Sequence, residues 1–281
     1  MKIDQKEAKI SCLPVSLFPD IVSGKISIPE WARNAKKMGY NGIDISTMFI
    51  KNHTPVYIEN LKKSLANEGM PIIMATTYPD FTHPNKTQRY RELEYLRYDI
   101  ALCSELGIRY LRVLAGQAHP SLDIQTGIDR AIEGLRAAAD VASAYDNVTL
   151  LYENHARTSA WKYADFSYPP TIFLKVFEGI ANTSIGINFD TGNVVAYNEE
   201  PLPILKKVFH KVKTVHISDT EAYGIFKPVV IGTGAVPNRE IIKYLRKNSF
   251  EGWLCVEEAS NTGLVGMEKA LSFVRSAWDE Q

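Results

Sequence analysis

Eight short runs of apolar, β-branched and aromatic residues recur along this chain, and helical patterns fill the intervals between them. The runs are KISCLPV (9–15), GIDIS (42–46), PIIMATTY (71–78), IRYLRVLAG (108–116), VTLLYEN (148–154), SIGINFD (184–190), VKTVHIS (212–218) and GWLCVEEA (252–259). Between two of them, Leu93, Leu96, Ile100, Cys103 and Leu106 repeat at spacings of three and four after Thr87, the expected N-cap, and stop at Gly107. Another helical face after Thr126 carries Ile128, Ile132, Leu135, Ala139 and Ala142. Pro29, Pro201 and Pro237 stand near expected helix starts, where proline is tolerated. Strand and helix alternate about every 30 to 40 residues, the arithmetic of a single-domain (β/α)8 TIM barrel. An open doubly wound sheet also alternates, but the first strand is followed by SLFPDIVSGK, which has no glycine fingerprint. The barrel is expected to occupy residues 9–281, behind a polar arm at 1–8.

Composition narrows the partners. Lys plus Arg and Asp plus Glu both number 32, so the net charge is zero, which speaks against a non-specific nucleic-acid surface. No stretch is apolar for long enough to span a membrane, and the N-terminal MKIDQKEAKI lacks an apolar signal region. Cys12, Cys103 and Cys255 are scattered, sit in apolar settings and read as reduced, buried thiols. A cytoplasmic location is the expectation.

In a barrel the chemistry gathers where the strands end. The fifth to eighth runs end on Glu153, on Asp190, on His216 followed by Asp219, and on Glu257 with Glu258. Taken alone, each is an ordinary cap or rim residue. Four on consecutive strands at matching depth are harder to explain that way. Strand alternation turns Glu153, Leu151 and His155 to one face, and it selects Glu257, in register with Cys255, over Glu258. Three converging carboxylates repel one another and call for a cation. With one imidazole they form a hard, oxygen-rich set that suits Mn²⁺ or Mg²⁺, with Co²⁺ or Zn²⁺ as alternatives, and leaves coordination positions open.

The segments YENH (152–155), FDTGN (189–193), VHISD (215–219), IGTGAVP (231–237) and VEE (256–258), in this order, resemble the xylose-isomerase-like TIM barrels, a family of sugar phosphate isomerases and epimerases. The resemblance covers about residues 9–278. It implies that Glu153, Asp190, His216 and Glu257 hold one divalent metal. It also implies that Glu153 and Glu257 form an acid/base pair acting on a polyhydroxy carbonyl compound through a metal-stabilised enediolate. The family includes ketose 3-epimerases, inosose dehydratases and hydroxypyruvate isomerases, so isomerisation, epimerisation and dehydration of the inosose or 3-dehydroshikimate type all stay open. Its apurinic endonucleases place a histidine where this chain has Asn193 and carry an Asp-x-His that Gly224 to Val230 lacks, which disfavours DNA repair. The 3-epimerases also have histidine at that position.

Further candidates for substrate contact are His119, His155, Asn193, Asp219, Lys227 and Trp161. IGTGAVP lies where barrels often bind phosphate, or forms only a turn into the next helix. Two long aromatic loops, 78–87 and 156–170, suggest a lid walled by Trp161, Tyr163 and Phe166. The expected partner is a small-molecule substrate, with neither nucleic acid nor membrane; a homo-oligomer is compatible with this reading.

Overall fold

The computed structural model describes residues 7–280, so the polar arm expected at 1–8 lies almost entirely outside the described residues. All eight expected strands form: β1 (Ile10–Leu13), β2 (Ile43–Ser46), β3 (Ile72–Thr76), β4 (Tyr110–Val113), β5 (Thr149–Glu153), β6 (Gly186–Asp190), β7 (Val212–Ile217) and, last in the chain, β10 (Trp253–Glu257). They pair in parallel in the order β1-β10-β7-β6-β5-β4-β3-β2, a nearly closed barrel in one domain. Side chains bridge the seam between β1 and β2. Asn41 Oδ1 accepts the Ile10 N–H at 3.0 Å, and Ser11 Oγ donates to Asp44 Oδ2 at 2.8 Å. Two strands the sequence reading missed, β8 (Thr220–Ala222) and β9 (Ile225–Pro228), form an antiparallel hairpin in the loop after β7.

Strand parity comes out as the alternation requires. Met74, Leu151 and Cys255 pack together as a small cluster separate from the main core. Tyr152 faces the other way, 5.1 Å from the Phe173 ring on the helix Pro170–Ile180. Most of the apolar core lies in that outer layer between strands and helices. The helix Lys86–Leu106 ends at Gly107 in the left-handed region, as expected. Its N-cap is Asn85 rather than Thr87, because the Asn85 side chain accepts the N–H groups of both Thr87 and Gln88. Cys12, Cys103 and Cys255 are buried and unpaired. No helix among the described residues is long and apolar enough to cross a membrane.

Both aromatic loops are tied to the helix Ile124–Ala142. Gly127 and Gly134 lie seven residues apart, two turns of helix, and so share a face. A Cβ at Gly127 would stand 2.2 Å from Phe166 Cζ, and one at Gly134 would stand 2.3 Å from Phe81 Cγ. The expectation of Phe166 as a pocket wall is therefore corrected: its ring is buried beneath its loop, against the helix. Replacing Gly134 with Ala should lower stability by about 1–3 kcal/mol, overpacking outweighing the better helix propensity. Urea unfolding measures it, and an unchanged midpoint would mean that Phe81 is free to move.

Candidate metal centre and active site

Each of the last four barrel strands carries one ionisable side chain to the same rim. Glu153 ends β5, Asp190 ends β6, His216 is the penultimate residue of β7 and Glu257 ends β10. Register brings Asp190 opposite His216 and Leu13 opposite Glu257. One potential ligand atom from each of the four lies within 4.8 Å of the others. Glu258, the alternative not chosen, points away and accepts the Ser260 N–H at 2.9 Å.

Polar partners fix most of this cluster. His216 Nδ1 lies 2.6 Å from Glu153 Oε1 and 3.2 Å from Glu257 Oε2. Glu153 Oε1 also accepts from Asn188 Nδ2 at 2.7 Å, and Asn188 Oδ1 accepts from Thr214 Oγ1 at 2.6 Å. Glu153 Oε2 pairs with Arg112 Nε at 3.1 Å, close enough for charge attraction but without hydrogen-bond angles. Arg112 donates to the Thr77 carbonyl at 3.2 Å and lies over the Tyr78 ring, 5.0 Å from its centroid. Asp190 Oδ1 accepts from the Asn193 N–H at 2.6 Å and Ser218 Oγ at 3.0 Å.

Two buried atoms of the cluster, Asp190 Oδ2 and His216 Nε2, have no hydrogen-bond partner among the described residues. Unpaired buried polar atoms are costly, and a ligand set left with free lone pairs fits a cation. The electrostatics agree. Burial, together with the charges of Glu257 and Glu153, pushes the Asp190 carboxyl well above its ordinary range. Burial opposes the charged form of His216, yet the two glutamates outweigh it and raise its pKa well above 6.5. Burial also opposes ionisation of the glutamates, but His216 and Arg112 hold Glu153 low, while His216 brings Glu257 to about 2.

The glutamates are not equivalent. Glu153 is fully enclosed, whereas the Glu257 side chain is 20% exposed and borders a pocket at the mouth. His155, Arg157, Asp190, Asn193 and Phe226 of the β8–β9 hairpin also line that pocket.

The outer candidates are sorted by what they touch. His155 and Asn193 reach the pocket. Asp219 borders it too, but its carboxylate is engaged by the loop that follows. It accepts the N–H groups of Gly232 (2.9 Å), Gly234 (3.0 Å), Val236 (3.1 Å) and Thr220 (2.9 Å). The phosphate-binding option for IGTGAVP is corrected accordingly, because three N–H groups of that loop already hold an anion of the chain itself. Lys227 points to the exterior and pairs with Glu221 at 2.6 Å. His119 sits on the rim, where its Nε2 meets Asp80 Oδ2 at 2.9 Å, and Trp161 Nε1 donates to the Tyr78 carbonyl at 3.2 Å. Neither of these two lines the pocket.

Similarity to known proteins agrees with this architecture. A stretch of 85 residues is 36% identical to an inosose dehydratase of Clostridium botulinum (strain Alaska E43 / Type E3), covering 25% of this chain and 28% of that relative, so the match spans little more than a quarter of its length. Over 266 residues the chain is 24% identical to an inosose dehydratase of Bacillus thuringiensis (strain Al Hakam), covering 84% of this chain and 85% of the other. Among solved structures, that of IOLI protein with a binding zinc atom superposes with a TM-score of 0.77 at 15% identity, over 95% of this chain and 97% of that one. A family profile described as xylose isomerase-like TIM barrel matches residues 32–277, nearly the whole chain, and the chain belongs to that family.

Proposed function

We propose that the protein is a divalent-metal-dependent isomerase or epimerase of a small polyhydroxy ketone or aldehyde, and that it works by removing the proton α to the carbonyl. The observation that carries this is the cluster of Glu153, Asp190, His216 and Glu257, with two buried ligand atoms that lack a hydrogen-bond partner, beside a pocket that Asp190 and Glu257 themselves line. Three carboxylates and an imidazole suit Mn²⁺ or Mg²⁺, and Co²⁺ or Zn²⁺ are alternatives. When bound, a divalent cation supplies positive charge against the oxygen that becomes anionic as the α-proton leaves.

The chain's own groups divide the remaining work. Glu257, the glutamate that borders the pocket, takes and returns the proton. Glu153, fixed by Asn188, His216 and Arg112, chiefly holds the centre. His155 and Asn193 face substrate hydroxyls. Return of the proton to the neighbouring carbon by Glu257 alone is isomerisation. Return from the opposite face is epimerisation and calls on the Glu153 of the expected acid/base pair.

Dehydration is the second reading, supported by the inosose dehydratases among the relatives: a β-hydroxyl leaves after the same proton removal. A single experiment addresses both. Protein supplied with Mn²⁺ is incubated in D₂O with ketoses, inosose and hydroxypyruvate, and the paramagnetic ion is chelated and removed before spectra are recorded. Loss of the α-proton NMR signal is the expected result, with a new sugar in one case and an ultraviolet-absorbing unsaturated ketone in the other. Metal-loaded protein that exchanges no α-proton across the set would sink the proposal. The partner is a small molecule in the cytoplasm, with no nucleic acid or membrane, and a homo-oligomer is compatible.

A further inference from the structure

The pocket that Asp190 and Glu257 line has a cation of its own. Arg157, on the loop after β5, borders it and is the one arginine or lysine among the lining residues. Its side chain is exposed and makes no hydrogen bond or ion pair among the described residues. Two neighbouring cations are already engaged: Arg112 pairs with Glu153, and Lys227 with Glu221. The root of Arg157 is nonetheless fixed. Ala156, just before it, is buried, and its carbonyl accepts the Asp165 N–H at 2.8 Å. Asp165 is in turn bridged to Gln117 of the loop after β4, and its Oδ1 accepts the Ser167 N–H at 2.7 Å.

Charge decides what this arginine is free to meet. A divalent ion and Arg112 together balance the three carboxylates of the cluster. Asp219, also on the wall, has its charge spread over four backbone N–H groups. Arg157 is then left facing the pocket without a counter-charge, and an anionic group on the substrate would supply one. The kind of anion follows from what else is there. A guanidinium is a planar fork that matches the two oxygens of one carboxylate. A phosphate carries more charge and more oxygens than one fork satisfies, and it is commonly cradled by a nest of N–H groups as well. The nest at this mouth is taken by Asp219.

We propose that Arg157 recognises a carboxylate on the substrate, remote from the reacting carbonyl, so that the compound turned over is a keto sugar acid rather than a neutral sugar or a sugar phosphate. This names the substrate class within the function proposed above and rests on that reading for the reacting end. An ion pair in open water contributes little, but a substrate seated in the pocket covers the guanidinium and removes part of that water.

Calorimetric titration of the full chain, supplied with Mg²⁺, tests this with sugars that differ at one terminal carbon. Fructose is compared with fructuronate and fructose 6-phosphate, and glucose with glucuronate. At least one acid should bind about 10- to 100-fold more tightly than its neutral partner, and fructuronate at least as tightly as the phosphate. Arg157→Gln should abolish that advantage while leaving neutral sugars within about twofold, and Arg157→Lys, which keeps the charge but not the fork, should retain part of it. The urea midpoint should not move, since the exposed side chain gives up no internal partner. The inference is overturned if no acid outbinds its neutral partner, if the phosphate outbinds the acid, or if the advantage survives in Arg157→Gln, where the metal would be holding the carboxylate. α-Proton exchange on the same compounds reports separately on the reaction. Selective binding of the acid without exchange counts against the proposed function and leaves the role of Arg157 standing.

Discussion

Glu257→Gln is expected to lower α-proton exchange by about 1,000-fold while the protein stays folded. The side chain borders the pocket, and glutamine keeps its shape. What disappears is the ability to accept a proton. One charge is also lost from the ligand set, so the measurement is made at saturating Mn²⁺, where weakened binding is overcome by concentration. Glu153→Gln should differ in kind. Its carboxylate is an acceptor for Asn188 and His216 and the ion partner of Arg112, so stability and metal retention fall first. If Glu257→Gln kept exchange within about tenfold of wild type, the division of labour between the glutamates would be wrong.

Arg112→Met carries the largest expected effect on stability, about 3–5 kcal/mol in the presence of a chelator, because it leaves Glu153 buried with one cation fewer. The cluster brings together three carboxyls, and Arg112 is the permanent positive charge beside them. The Thr77 carbonyl also loses its donor and the Tyr78 ring its cation. A bound divalent ion restores positive charge to the same small volume, so the loss in Mn²⁺ should be visibly smaller than in EDTA. Paired urea titrations of both proteins in both media give the comparison. An equal loss in the two would reduce Arg112 to a packing residue.

The barrel was legible because its signal is repeated eight times, and errors at single strand ends do not disturb the count. Strand parity was just as readable: with a period of two, Glu153 and Leu151 must share a face, and Glu257 must part from Glu258. What escaped were features whose meaning depends on a partner far along the chain. Arg112 stands openly inside LRVL, a charge in an apolar strand, but nothing in that strand names Glu153 as its counterpart. Asp165 lay inside a loop read for its aromatic residues, and nothing in that loop names Gln117, its bridging partner from the loop after β4. The β8–β9 hairpin was missed because its strands span only Thr220–Ala222 and Ile225–Pro228. Lys227, a candidate for substrate contact, is turned outward by Glu221, an ion partner that the sequence does not single out.

Asp219 makes the loop after β7 a site that arrives already filled. Its carboxylate takes the N–H groups of Gly232, Gly234 and Val236, the kind of nest that elsewhere receives an anion from solution. A free phosphate would have to displace a competitor tethered to the same chain, whose effective concentration is about millimolar or higher. The loop therefore draws its rigidity from within, independent of the phosphate level around it, and any charge preference at this mouth has to originate in other residues.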